Sequence, residues 1–320
     1  MTVTKFVGRL RGCDGENQTL VTKFVLKGII ECLELRVPLF LVFLLIYAIT
    51  MVGNLGLIFL IWKDSHLHTP MSYFLGSLVF ADACTSSSVT TRMLVNILCN
   101  GEMISLIECL VQYYFFGSSA TTECFLLVLM AYDHYIAICN LLLYLVVMSN
   151  RHCTWLISVS YLIGFMHPLI HVGLLFRLMF CNYNVIDHFY CEILPFYTIS
   201  CTDPSLNALV VFILSACIQA ITFMSIILSY TRVLLAIMGK KSEKGESKAF
   251  LSPYGAHLLS VSSFYGTLFF MYVCPGTGPD KYQDKMYSLF YTIIIPLFNP
   301  FIYSLRNKEV LGALRKVTKK

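Results

Sequence analysis

Met130–Cys139 reads Met-Ala-Tyr-Asp133-His134-Tyr135-Ile-Ala-Ile-Cys (MAYDHYIAIC) and ends an apolar run that begins at Leu106. An acid, a histidine and two tyrosines stand where the hydrophobic segment closes. A membrane-spanning helix needs ~20 mainly apolar residues, and Leu106–Tyr132 supplies them. The same criterion picks out Val37–Trp62 and Met71–Leu98, the latter interrupted by Asp82 and small hydroxyl residues. It also picks out Cys153–Leu175, Asn207–Ile237, Phe250–Val273 and Tyr287–Leu305. The expected fold is an all-α membrane protein, a seven-transmembrane helix bundle with a short amphipathic C-terminal helix. It divides into an N-terminal tail (1–36), the bundle (37–305) and a C-terminal tail (306–320).

Composition agrees. Hydrophobic residues make up 57% of the chain and charged residues 13%, against roughly 25% charged in soluble domains. So apolar a chain cannot hide its surface in one soluble domain. Basic residues gather in Arg232–Lys248 and Arg306–Lys320. These are juxtamembrane positions, with no interleaved basic-aromatic face for nucleic acid. The first 30 residues lack the continuous apolar core of a signal peptide, so the first span is expected to act as the targeting signal. An enzyme is excluded by the lack of a Gly-rich phosphate loop, a His-Glu-x-x-His pair or a nucleophile elbow. No internal repeat of the transporter kind is found.

Seven spans put the termini on opposite sides. With the amino terminus outside, thirteen of the 23 Lys and Arg residues fall on inner segments, and Lys5, Arg9 and Arg11 lie far from any span. The positive-inside rule favours this orientation. Asn17-Gln18-Thr19, the chain's only Asn-x-Ser/Thr sequon, then falls outside, where glycosylation occurs. In the tail, Val310, Leu311, Leu314 and Val317 are expected on one side of a membrane-surface helix, with basic residues on the other.

Several motifs in order carry a resemblance. They are Asn17–Gly28 (NQTLVTKFVLKG), Gly53-Asn54, Leu67–Leu75 (LHTPMSYFL), MAYDHYIAIC and Ser229-Tyr230. Lys248-Ala249-Phe250, Phe264-Tyr265-Gly266-Thr267 and Asn299–Asn307 (NPFIYSLRN) complete the series. Together they resemble the olfactory receptors, a branch of the rhodopsin-like class A G-protein-coupled receptors. The resemblance implies a plasma-membrane protein with its amino terminus extracellular. It implies small volatile odorants as ligands, surrounding membrane lipids, and a stimulatory, cAMP-raising heterotrimeric G protein as partner.

Such ligands call for a concave, mostly apolar and lightly polar site. The resemblance suggests Phe116, Gly117, Ala120 and Thr121 on the third helix, Tyr265, Leu268 and Tyr272 on the sixth, and Thr292 on the seventh. It points to Asp133, His134, Tyr135, Tyr230, Asn299, Pro300 and Tyr303 as the inner-face coupling and switch residues. Pro300 removes a backbone donor and kinks the seventh helix, with Asn299 able to satisfy the freed carbonyls. Asp82 and Glu123 lie at mid-depth, where a charge is costly unless paired or hydrated. No basic residue sits at that depth, so one of them is protonated or a cation is shared. The resemblance implies a sodium site with Asn54 and Asn299; a hydrogen-bonded polar core is the alternative. No other cofactor or metal is expected.

Cys109, Cys181, Cys191 and Cys201 face an oxidising side and read as two disulfides, for which sequence alone allows three pairings. The resemblance implies Cys109–Cys191 and Cys181–Cys201. A soft-metal site at His188–Glu192 (HFYCE) would need the thiol that such a disulfide consumes.

The chain departs from the family pattern in places. His134 stands where the family has arginine, a planar, always-charged, five-donor fork. Leu141 and Thr91 replace prolines. Between Phe250 and His257 the segment LSPYGA, with Pro253, is one residue longer, enough to rotate a helix end by ~100°. The alternative expectation is a receptor fold with impaired or lost coupling; a transporter or channel is a third.

Overall fold

The computed structural model describes residues 23–28, 33–99, 103–180, 184–239, 244–273, 281–306 and 308–318. Seven long helical segments run through the described residues. They are α1 (Arg36–Lys63), α2 (Pro70–Cys99), α3 (Leu106–Cys139), α4 (Asn150–Leu175), α5 (Ser205–Gly239), α6 (Lys244–Val273) and α7. The last is built of Lys281–Leu289, a π-helical turn Phe290–Ile294, and Ile295–Arg306. A short C-terminal helix, α8 (Lys308–Thr318), follows. Short helices also form at Leu141–Val147 and Ile193–Thr198.

The third helix is the axis of the bundle. Ser105 caps it with a reciprocal box: its hydroxyl accepts from the Glu108 N–H at 3.3 Å, and the Glu108 carboxylate accepts from the Ser105 N–H at 2.8 Å. Over 34 residues it rises ~50 Å, about two turns further than its apolar run predicts. It packs against α2, α4, α5 and α6, and α7 closes the ring on α1, α2 and α6.

Among the described residues, five helices are long and apolar enough to cross a membrane on length and composition alone: Arg36–Lys63, Leu106–Cys139, Asn150–Leu175, Ser205–Met238 and Lys285–Ser304. The second helix spends its polarity inward. Asp82, Thr85, Ser86 and Thr90 are all buried, which lowers its mean hydropathy while keeping Asp82 from the surface. Large apolar side chains cover the outer surface instead, among them Leu45, Val52 and Trp62 on α1 and Phe212 and Leu228 on α5. A lipid solvent explains that inversion.

Close α3–α4 contact depends on two glycines. A Cβ on Gly117 would come within 3.0 Å of Pro168, and one on Gly164 would run into the Thr122 hydroxyl. On the outer side, β1 (Lys23–Leu26) pairs antiparallel with β2 (Met103–Ser105) and parallel with β3 (Val185–Ile186). Phe24 seats this sheet, its ring 5.5 Å from Phe180 and 5.4 Å from Phe196.

In α8 the inward residues are Val310 and Ala313, while Leu314 faces out. Val310 of the expected stripe thus packs on the bundle, and the side chain of Val317 lies outside the described residues. Lys316 reaches Asp64 in the first inner loop at 3.6 Å.

Candidate functional site

On the outer side a disulfide joins Cys109, at the start of α3, to Cys191 in the loop before α5. The Gln112 amide reinforces it. Its oxygen accepts from the Cys191 N–H at 3.1 Å, and its nitrogen donates to the Ser88 carbonyl at 2.9 Å. This draws His188–Cys191 into the bundle, where Phe189 and Tyr190 are fully buried. Lys285 at the head of α7 pairs with Asp187 at 2.9 Å. Cys201 is disulfide-bonded too, and its expected partner Cys181 lies outside the described residues. So do Asn17 and the side chain of Tyr272.

Below this plug the expected ligand residues separate into two groups. Phe116 sits under Tyr190 (ring centroids 5.3 Å) and beside Tyr291 (5.9 Å). The aromatic line continues from Tyr291 to Phe264 at 5.5 Å and to Tyr265 at 5.2 Å. The Tyr265 hydroxyl donates to Thr222 on α5 at 2.8 Å. Phe116, Leu268 and Tyr265, with Ala120 alongside, pack on one core cluster. The other group turns away. Gly117 faces Pro168, and the Thr121 hydroxyl donates to the Gly117 carbonyl at 2.8 Å while meeting His167 Nδ1 at 3.0 Å. Both belong to the α3–α4 seam. Thr292 is fully buried, its hydroxyl returned to the Ser288 carbonyl at 2.8 Å.

At mid-depth the two carboxylates occupy separate cradles. Asn299 donates to both oxygens of Asp82, at 3.1 and 2.9 Å, and accepts from Ser260 at 2.9 Å. Glu123 accepts from Thr85 at 2.6 Å and from Tyr291 at 3.3 Å. Asn54 belongs to neither. Its amide donates to the carbonyls of Thr50 and Pro296, both at 2.9 Å. Pro296 is four residues before Pro300, so its carbonyl is the one that the proline leaves without a helical donor. The freed carbonyl is therefore satisfied by Asn54 of α1, and not by Asn299, whose side chain is committed to Asp82 and Ser260. Gly53 lets Pro300 approach, since a Cβ there would lie 3.2 Å from the proline ring.

At the inner end, Asp133 and His134 point to different partners. Asp133 accepts from the Tyr144 hydroxyl at 2.9 Å. His134, 3% exposed, meets the Tyr230 hydroxyl with Nδ1 at 3.1 Å. Tyr230 meets His257 Nδ1 at 2.5 Å, and His257 Nε2 meets the Leu127 carbonyl at 3.1 Å. Proton counting fixes the directions for neutral rings. A carbonyl only accepts, so His257 carries its proton on Nε2 and accepts at Nδ1. Tyr230 spends its one proton there, so His134 donates from Nδ1. With both rings neutral, the chain runs one way and ties α3 to α5 and α6. Tyr303 is buried nearby in the core, whereas Tyr135 is half exposed.

Tyr144, His257, Thr85, Tyr291 and Ser260 were not singled out from sequence. His257, a lone histidine inside an apolar span, was the one with a readable signal.

The chain matches the family described as Olfactory receptor over residues 43–320. It belongs to that family. It is similar to human olfactory receptor 5AC1, 66% identical over 305 residues covering 95% of this chain and 99% of the relative. Human olfactory receptor 5AC2 is 66% identical over 304 residues, 95% and 98% of the two chains. Mouse olfactory receptor 5H17 is 57% identical over 305 residues, 95% and 98%. The receptor is thus a multi-pass, seven-transmembrane helix bundle of a non-enzymatic family. Its Asp133-His134-Tyr135 run holds a histidine in a buried hydrogen-bond chain.

Proposed function

We propose that the receptor binds small volatile odorants among the outer halves of α3, α5, α6 and α7 and couples to a stimulatory heterotrimeric G protein at the plasma membrane. The observation that carries this is the aromatic line Phe116–Tyr291–Phe264–Tyr265 beneath the disulfide-stapled loop. It is largely apolar and ends on hydroxyls, which suits a ligand with one or two polar atoms. It also joins α3, α6 and α7, so a ligand that favours one of their arrangements shifts the equilibrium between them. Residues 1–36 form the extracellular tail, 37–305 the receptor domain and 306–320 the cytoplasmic tail. Asp82 and Glu123 lie across the core from each other with no cationic side chain bonded to either among the described residues. A sodium ion shared between them is the reading that leaves both ionised.

A second reading, impaired coupling, is favoured by one observation: His134, standing where the family pattern has arginine, is buried with its Nδ1 committed to the Tyr230 hydroxyl. Surface-labelled cells carrying this chain or His134→Arg, assayed for cAMP against an odorant panel, separate the two. Odorant-dependent cAMP from the unmodified chain supports coupling. Response from the Arg variant alone supports the second reading. Silence from both at normal surface density counts against odorant-driven signalling.

A further inference from the structure

The second inner loop shows what the helix bundle should not show to water. Leu141–Val147 (LLLYLVV) forms a two-turn helix with no buried residue. Leu141 is 72% exposed, Leu142 97%, Leu145 84% and Val146 73%. Positions i, i+1, i+4 and i+5 lie on one side of a helix, an arc of about 140°. The loop is nevertheless held firmly. Tyr144 donates to Asp133, and Met148, 3% exposed, enters the main core. A fixed helix with so apolar an outer face needs an apolar cover.

Depth identifies the cover. Cys139, two residues before the loop helix, reaches the Arg232 carbonyl of α5 at 3.8 Å. At that level α5 carries the exposed Arg232, whose long stem lets its charge reach the headgroups, beside an apolar surface. It continues inward with Leu234, Leu235 and Met238 outward-facing at 58%, 60% and 78% exposure, and Met238 lies ~9 Å beyond Arg232 along the axis. The loop helix therefore starts at a depth where its neighbour still presents a lipid-facing surface. No Asp, Glu, Lys or Arg stands between Asp133 and Arg151. The first cation, Arg151, is followed one turn on by Trp155, 58% exposed, the arrangement of a headgroup contact beside an interfacial ring.

We propose that the Leu141–Val147 helix lies in the inner leaflet of the bilayer, with Leu142, Leu145 and Val146 among the acyl chains and Tyr144 holding its other side to Asp133. The inner leaflet, rather than a protein partner, is its resting occupant, and a protein that engages this loop must first draw it out of lipid.

The chain has only two tryptophans, Trp62 and Trp155, which makes the test direct. In a Trp62→Phe, Trp155→Phe background, Leu142→Trp or Leu145→Trp is added and the full chain is placed in nanodiscs without G protein. Lipids brominated along the acyl chain should quench either new indole as strongly as they quench Leu45→Trp on α1. Acrylamide should quench it at least about threefold less than Lys27→Trp, just past the end of β1. Strong acrylamide quenching with no effect of brominated lipid overturns the proposal. So does protection from both quenchers that grows with receptor density, which would mean a second copy covers the helix. If both variants misfold, the unmodified chain is crosslinked with a lipid carrying a diazirine on its acyl chain. Adducts on 141–147 are expected, and their absence beside adducts on α5 overturns the proposal.

Discussion

Replacing Tyr230 by Phe removes one oxygen from the centre of the inner-face chain and keeps the ring's volume. Two ring nitrogens lose their partner together, the donating Nδ1 of His134 and the accepting Nδ1 of His257. Both histidines are buried, at 3% and 0% exposure. A buried polar group stripped of its partner costs about 1–3 kcal/mol, so the pair costs about 3 kcal/mol in the closed bundle. If opening parts α3, α5 and α6 and hydrates the rings, that cost falls on the closed state alone. The equilibrium then moves toward open by roughly 100-fold. His134→Phe is the milder lesion, because Tyr230 keeps its bond to His257; about 1 kcal/mol, or roughly fivefold, is expected. Spin labels on the inner ends of α3 and α6, read as a distance distribution in nanodiscs, report the shift without requiring coupling. Basal cAMP reports it where coupling exists. An unchanged distance distribution in Tyr230→Phe, or a larger change in His134→Phe than in Tyr230→Phe, would refute the one-way chain.

Gly164→Ala should abolish surface delivery, because the added Cβ meets Thr122 Oγ1 and the Ser118 carbonyl at 3.0 Å, whereas Gly56→Ala, with nothing within 4 Å, should reach the surface normally. Cys191→Ser should lower thermal stability by about 2–5 kcal/mol and expose Phe189 and Tyr190; a melting curve unchanged from the unmodified chain would count against the plug. Burial, helped by Lys285, holds the His188 imidazole down to about 3 from its ordinary 6.5, against Asp187, which pushes it up; Glu192 lies 3.4 Å away. The unfolded loop therefore takes up a proton that the folded loop refuses, and stability is full above pH ~6.5 and lost as pH falls toward 3, at up to ~1.4 kcal/mol per unit. Melting at pH 7.4 and pH 5 should differ by about 1–2 kcal/mol, and His188→Phe should remove most of that difference.

Length and composition make α1, α3, α4, α5 and α7 legible as spans, and MAYDHYIAIC marks where the third one ends. Helix rotation was not legible. A helix that meets lipid on one side and apolar core on the other is apolar all round, so periodicity gives no inward direction. That is why Gly117 and Thr121, expected beside Phe116, turn out to face α4, while Phe116 faces Tyr190 and Tyr291. Long-range polar pairing was also out of reach. Asn54 and Pro296 are 242 positions apart, and nothing local says that a first-helix amide satisfies the carbonyl freed by Pro300. Asp82 and Glu123 were readable as a problem, two acids without a base, but not as two separate cradles.

The substitution at His134 is better understood as a division of labour than as a simple loss. An arginine in this place could reach back to the preceding acid with a bidentate fork. The imidazole reaches across to α5, and Asp133 is left to Tyr144. The acid therefore holds the loop helix while the histidine holds the α5–α6 contact. In His134→Arg the guanidinium should compete with Tyr144 for Asp133. Tyr144→Phe should then be costly in the unmodified chain, by about 1–2 kcal/mol, and nearly silent in the Arg background. The double-mutant cycle on thermal stability should show a coupling near 1 kcal/mol. Equal costs in the two backgrounds would mean that Asp133 does not choose between them, and that the loop is held by Met148 and its apolar face alone.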